Sequence, residues 1–330
     1  MTEYNGILVV VETADSKPVD LAFEMLGLAR RLVDDGLGGP VTAVVLGNEL
    51  DGAGEALIAG GADRVLLVDD AAFANYQADA WLPDLAALIG AAAPAAVFIG
   101  HTVPGADLAP RLAFRLDSAV ATGCESVTAT DGQVRMTRVC FGGNAREEIS
   151  FTTAPAVATI RAKTQEAPEP DPSRSGDIEA VASILDPAAV RTRVTDVDRE
   201  PTAGVSLENA GVVIAGGRGV GGPEGFDSLT ELAALLGAAV GASRVACDLD
   251  WCPPSYQIGL TGRTIAPELY LAVGISGAGQ HMAGCGAAKV IVSINSDADA
   301  AIFQSSRFGI IGDCQEVIPA LVEEIRKLKA

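Results

Sequence analysis

The sequence predicts an α/β protein of two doubly wound domains: an N-terminal parallel sheet with an antiparallel extension, and a Rossmann-like C-terminal domain. Three observations lead there. Short apolar runs alternate with helix-period stretches. The alternation lapses after residue 120 and resumes at Val212. Glycine-rich turns stand directly behind apolar runs of the second half.

In the first half, Ile7–Val11 reads as a strand apolar at every position, which suits a parallel sheet covered on both faces. Leu21, Met25, Leu28 and Leu32 recur at helical spacing, so Val19–Leu32 reads as an amphipathic helix. Val41–Leu46, Val65–Val68 and Ala96–Ile99 read as further strands, with helices around Glu55–Ala59 and over Leu82–Ala92. Strands that alternate with helices imply right-handed crossovers. Beyond residue 120, Val127–Ala129, Val134–Cys140, Glu148–Thr152 and Val157–Arg161 are shorter and joined by polar turns, and are expected as the antiparallel extension. An acidic, Pro-rich loop, Glu166–Gly176, precedes two more strand-like runs, Ile178–Leu185 and Val190–Val197.

The domain boundary is expected near Pro201–Ala210, dividing the chain into 1–205 and 206–330; 330 residues suffice for two domains. In the second, Val212–Ala215, Leu269–Val273, Val290–Ile294 and Phe308–Ile311 read as strands, and Phe226–Leu236, Ser276–Gly284 and Val317–Leu328 as helices.

Composition narrows the function. Acids outnumber bases by 43 to 23, a balance that repels phosphate backbones and argues against nucleic acid. It serves solubility, or docking to basic partner surfaces. The six cysteines, at 124, 140, 247, 252, 285 and 314, include no C-x-x-C pair, so neither zinc nor an iron–sulfur cluster is indicated. The longest apolar stretch, Leu85–Gly100, is broken by Pro94 and falls short of the ~20 residues of a membrane span. With an acidic start at Met1–Gly6, a cytoplasmic protein without membrane insertion is expected.

Ligands of open α/β sheets bind at the carboxyl ends of strands. Gly216–Gly222 follows a strand and contains G-x-G-x-x-G, which alone reads equally well as a dinucleotide fingerprint or a plain turn. A ribose-binding acid is missing where Ser243-Arg244 stand. Gly274-Ile275-Ser276-Gly277-Ala278-Gly279-Gln280-His281 links another strand to a helix, where small residues leave backbone N–H groups open to an anion. Ser276 reads as a donor or as a plain N-cap. His281 is placed one turn inside that helix, where it could donate to developing negative charge; His101 is read as structural. Asn295 and Asp313 end strands and suit the sugar or base of an adenosine, though Asp313 with Glu316 also forms a capping-box pattern. Gln257–Gly262 completes the polar set. No G-x-S-x-G elbow, P-loop or metal-ligand cluster is present, so no catalytic residue is assigned.

The residues alone lead to a dinucleotide-like ligand. The segment Gly259–Gly284, with Ile294-Asn295, Ala301–Gln304, Gly309–Asp313, Gly216–Gly219 and Gly241–Arg244, closely resembles the signature of electron-transfer flavoprotein alpha subunits, across about residues 211–325. The first domain fits that family in general layout. The resemblance implies a C-terminal domain that holds FAD, with a beta subunit packed over it. It places Arg218, Ser243 and the turn of Ser276, Gly277, Gln280 and His281 on the phosphates and flavin. Arg244 falls by the isoalloxazine, Thr261 near N5 and His281 near O2, within a polar set that includes Gln257 and Gly262. Asn295 and Asp313 fall to the adenosine. Leu260 stands where the family usually carries Gln.

Function follows from the same resemblance: a heterodimeric carrier that takes electrons from a flavin dehydrogenase of the acyl-CoA type, as in fatty acid β-oxidation, and passes them to a quinone reductase or another oxidoreductase. A bifurcating form, using NADH with ferredoxin or flavodoxin, is the related alternative. A stand-alone NAD-dependent enzyme would need an acid at the second strand end and an acid–base pair, and neither is found. A flavin-free structural subunit is the third alternative, against which the near-complete ligand set argues.

Overall fold

The computed structural model describes residues 4–130, 132–141, 145–197, 207 and 210–329. The chain divides into two compact units, one of Met1–Cys140 with Arg146–Asp198 and a second built on Arg199–Ala330. The expected boundary between residues 205 and 206 lies outside the described residues.

The first unit begins with β1 (Ile7–Val11), the two-residue strands β2 (Thr13–Ala14) and β3 (Lys17–Pro18), and α1 (Asp20–Leu32). Then follow β4 (Val41–Gly47), α2 (Ala53–Ala59), β5 (Arg64–Asp69), α3 (Ala78–Ala92), β6 (Ala96–Gly100) and α4 (Val103–Arg115). The unit closes with β7 (Val120–Thr130), β8 (Gln133–Cys140), β9 (Ala145–Ser150), β10 (Ala156–Ile160) and β11 (Asp177–Ala180). The strands form one sheet in the order β11-β5-β4-β1-β6-β10-β7-β8-β9.

All five residues of β1 are buried because side chains alternate between two covered faces. Ile7, Val9 and Val11 pack with Leu21, Met25 and Leu28 of α1; Leu8 and Val10 pack with Leu85 and Ile89 of α3 and Leu112 of α4. Each such side chain contributes roughly 1.5–3 kcal/mol by leaving water.

Three sequence expectations need correction here. The antiparallel extension is smaller than expected: β10 runs parallel between β6 and β7, and antiparallel pairing begins at β7 with β8. The buried run Ala156–Ile160 suits a central strand, not an extension. The run Ile178–Leu185 is strand only to Ala180, because the Asp84 carboxylate takes over beyond it, accepting from the Ile184 N–H at 2.9 Å and the Ser183 hydroxyl at 3.0 Å. Val190–Val197 is not a strand; Arg191 instead pairs bidentately with Asp79 of α3, at 2.9 and 3.0 Å. The sequence reading also omits α4, whose start is capped by the Thr102 hydroxyl accepting from the Gly105 N–H at 3.0 Å.

The second unit comprises β12 (Val212–Gly216), α5 (Pro223–Leu236), β13 (Ala239–Ala242), α6 (Arg244–Asp248), β14 (Leu269–Val273), α7 (Gly279–Cys285), β15 (Val290–Asn295), α8 (Ile302–Ser305), β16 (Phe308–Ile311) and α9 (Cys314–Lys329). Its sheet is parallel throughout, in the order β13-β12-β14-β15-β16. Helices α5 and α9 cover one face, over Ile214, Leu271 and Ile294. Residues of α7 and α8 pack over Val213, Tyr270 and Ala272 on the other. The order in which strands are added reverses between β12 and β14, with β13 added on one side and β15 and β16 on the other. In such sheets a crevice opens at that point, beyond the carboxyl ends.

Candidate functional site

The crevice at the β12/β14 switch point is a cleft of about 540 Å3, within the range of small-molecule sites. Its floor is built by backbone. The Gly217 N–H donates to the Val273 carbonyl at 2.8 Å, and the Gly219 N–H to the Gly274 carbonyl at 3.0 Å. The two turns lie so close that side chains do not fit between them. A Cβ on Gly217 would stand 2.3 Å from the Gly274 oxygen, and one on Gly219 would stand 2.7 Å from the Gly274 Cα. Gly274 itself has φ +61.

Nine of the twelve site residues expected from the sequence line this cleft: Arg218, Ser243, Arg244, Gln257, Thr261, Ser276, Gln280, His281 and Asn295. They come from the ends of four strands and one long loop. Arg218 follows β12, and Ser243 and Arg244 lie where β13 passes into α6. Gln257 pairs as a bridge beside Ala242, and its side-chain amide donates to the Thr261 hydroxyl at 2.8 Å. The Leu260 N–H donates to the Gln280 carbonyl at 2.7 Å, tying that loop to α7. Asn295 acts as a clamp. Its amide donates to the Ile275 carbonyl at 2.9 Å, while its side-chain oxygen accepts from the Asp297 N–H at 3.0 Å.

Gly262, Gly277 and Asp313 are not among the residues lining the cleft. Gly262 packs against the Gln257 backbone, where a Cβ would meet the carbonyl oxygen at 2.3 Å. Gly277, with φ +82, turns the chain before α7. The Asp313 carboxylate accepts from the Gln315 N–H at 2.9 Å and so caps α9. The helix expected over Ser276–Gly284 starts three residues later, at Gly279. The left-handed Gly277 delays it. Ser276 is therefore not its N-cap; its carbonyl accepts from the Ile302 N–H at 3.0 Å.

His281, in the first turn of α7, is 7% exposed. Nε2 lies 2.6 Å from the hydroxyl of Tyr270, which is fully buried. Nδ1 is buried and has no hydrogen-bond partner. Burial pushes the imidazole pKa down to about 4, against the smaller opposite effect of the nearby Ile258 backbone. The ring is thus neutral at physiological pH. The sequence reading omits Tyr270. Its signal was a lone hydroxyl in an otherwise aliphatic buried strand, since buried tyrosine hydroxyls find partners.

Cations, glycine backbone and polar side chains converge beside exposed apolar Val245 and Leu260. Such a surface suits an anionic ligand that also carries an apolar part. A buried ring nitrogen without a partner, beside a cleft lined by two arginines and polar side chains, fits a polar ligand. Among the described residues there is no cluster able to hold a metal ion and no helix long and apolar enough to cross a membrane.

Comparison with known proteins places the chain in a family. Residues 7–185 match the electron transfer flavoprotein domain, and residues 206–286 match the electron transfer flavoprotein FAD-binding domain. The chain belongs to the electron-transfer flavoprotein alpha-subunit family. It is 42% identical over 323 residues to the electron transfer flavoprotein subunit alpha of Bacillus subtilis (strain 168), covering 98% of each chain. It is 38% identical over 331 residues to that of Thermoanaerobacterium thermosaccharolyticum, covering the whole of both. It is 35% identical to Protein FixB of Clostridium saccharobutylicum, over 99% of this chain and 98% of the other. The family's cofactor is FAD, and the cleft lies in the domain that binds it.

Proposed function

We propose that this chain is the FAD-holding subunit of a heterodimeric electron carrier, completed by an electron-transfer flavoprotein beta subunit. The observation that carries the reading is the convergence of Arg218, Ser243, Arg244, Ser276, His281 and Asn295 on one cleft at the switch point of the second sheet. Bound FAD supplies the redox chemistry. The protein's part is to bind, orient and shield it. Arg218 serves the anionic diphosphate together with the turn of residues 275–278, while the Gly217, Gly219 and Gly274 backbones pack on one another to form the floor beneath it. Arg244 places positive charge where electrons arrive, which favours the reduced form. Neutral His281 holds a ring nitrogen toward the cofactor without adding charge of its own. Asn295 and Asp313 hold the loops at the adenosine end, and Gln257, Thr261, Gly262, Gly277 and Gln280 shape the turns around the flavin.

Asp297 and His281 both line the cleft but spend their polar atoms elsewhere, His281 Nε2 on the Tyr270 hydroxyl and the Asp297 carboxylate on the Asp299 N–H, which supports a carrier over a stand-alone NAD-dependent enzyme. The electrons come from an acyl-CoA dehydrogenase-type flavoprotein and leave to a quinone reductase or another oxidoreductase. The chain is co-expressed with its beta subunit, and released flavin is measured against protein. One FAD per heterodimer, reduced by an acyl-CoA dehydrogenase with its substrate and not by NADH, is the expected result. No flavin in a well-assembled heterodimer overturns the reading. Two FAD with reduction by NADH replaces it with the bifurcating form.

A further inference from the structure

Two thiols that the flavin site does not use lie against each other beside it. Cys247 is in α6 and Cys252 in the loop that follows, with sulfur atoms 3.6 Å apart. They are 7% and 9% exposed. Backbone builds the contact. The Asp250 N–H donates to the Cys247 carbonyl at 2.9 Å and the Trp251 N–H to the Ala246 carbonyl at 3.1 Å. Asp250 is left-handed, with φ +57, which turns the chain back so that Cys252 meets Cys247. The Cys247 thiol also donates to the Pro253 carbonyl at 3.7 Å; the thiols of Cys124, Cys285 and Cys314 bond to the carbonyls of Ala121, His281 and Gly219, with no second sulfur among the partners of these bonds.

We infer that Cys247 and Cys252 are a thiol modification site that closes to a disulfide on reaction with a hydroperoxide. The Cys247 sulfur attacks one peroxide oxygen and the O–O bond breaks. Cys247 becomes a sulfenic acid, and the other oxygen leaves with the thiol proton as water or alcohol. The Cys252 sulfur then attacks the Cys247 sulfur and the S–O bond breaks. The departing hydroxide takes the Cys252 proton and leaves as water. Two thiols have lost two protons and two electrons, and the peroxide has gained them.

Cys247 is the better first nucleophile. The Cys252 S–H bond to it lowers its pKa from the ordinary thiol value, against burial and the charge of Asp248, while that same bond holds Cys252 high. Burial pushes Cys124 up to about 11 and Cys285 up to about 12. A disulfide needs the sulfurs at about 2.05 Å. The remaining approach falls on the five-residue helix α6 and the loop that follows it. Cross-linking them joins the segment that begins with Arg244 to the one that ends at Gln257, both on the cleft wall. The thiol chemistry does not depend on what fills the cleft.

The test uses the full chain assembled with its partner subunit. It is treated with hydrogen peroxide, denatured, alkylated and digested with trypsin. Cleavage at Arg244 and Arg263 leaves both cysteines in one peptide, Val245–Arg263. The expected result is that peptide two hydrogens lighter and unalkylated, restored by dithiothreitol. In Cys252→Ser, the reaction stops at a Cys247 sulfenic acid that dimedone captures. The inference is overturned if both cysteines stay alkylatable while other thiols oxidise, or if wild-type Cys247 passes to sulfinic acid without closing the bridge.

Discussion

The hydroxyl of Tyr270 lies 2.6 Å from Nε2 of His281, and this contact decides which nitrogen of the ring carries its proton. Burial holds the phenol well above the ordinary tyrosine value, so it keeps its proton, and the ring is neutral. An imidazole nitrogen accepts far better than the sulfur of neighbouring Cys285, so the phenol donates to Nε2. The ring proton then sits on Nδ1, the nitrogen without a partner. Tyr270→Phe removes the donor and leaves the tautomer free. Nitrogen NMR of the labelled ring is expected to move from one tautomer to a mixture, with stability lower by about 1–2 kcal/mol. An unchanged ring spectrum would show that something else fixes the tautomer.

His281 also makes stability depend on pH. Its folded pKa of about 4 lies below the usual histidine value near 6.5, so the unfolded chain binds a proton that the folded chain does not. Stability therefore falls as pH drops below about 6.5, and the loss is complete near 4. Between pH 7 and pH 5 the share due to His281 is about 2 kcal/mol. Urea unfolding of flavin-free protein at both values is compared between wild type and His281→Gln, with Trp251 as the reporter in a Trp81→Phe background. Equal pH dependence in the two would place the effect elsewhere.

Gly217→Ala drives a Cβ to 2.3 Å from the Gly274 oxygen, a backbone atom that has no rotamer to yield. A loss of about 2–4 kcal/mol in the second unit is expected, together with loss of bound flavin. Gly211→Ala is the control, since its Cβ meets nothing within 4 Å and its stability should stay within about 0.5 kcal/mol of wild type. The differential melting temperature of the two variants checks this.

Arg244 is exposed at the cleft and shares its charge with Asp248 at 3.3 Å. Arg244→Ala is expected to lower the flavin potential by tens of millivolts, roughly what one screened charge supplies at the rim. Asp248→Asn frees the cation and is expected to shift the potential the other way. Potentiometric titration of the loaded heterodimer reads both; a zero shift in each would remove Arg244 from the electrostatics of the flavin.

Most of the cleft lining was legible because its parts are local. A strand that ends in glycine, serine or asparagine is visible as an apolar run followed by those residues, and Gly216–Arg218, Gly274–Ser276 and Ile294-Asn295 all have that form. Boundaries failed where side chains far away in the chain intervene. Asp84 ends β11 from a hundred residues off, and Arg191 spends its charge on Asp79 instead of joining a strand. Helix α7 was placed three residues early because a left-handed Gly277 is indistinguishable, by letter alone, from a helix-starting glycine.

The sequence by itself determined the alternation of strand and helix, the parallel core of the first sheet with its antiparallel extension, the parallel second sheet and the set of polar residues at strand ends. Periodicity and turn chemistry are properties of neighbours, so they survive in one dimension. Only the tertiary structure decided that β10 inserts between β6 and β7, that the Gly217 and Gly274 turns touch, that Tyr270 aims at His281 and that Cys247 meets Cys252. Those are matters of strand order and side-chain direction, settled by which arrangement buries apolar surface while leaving few polar groups without a partner.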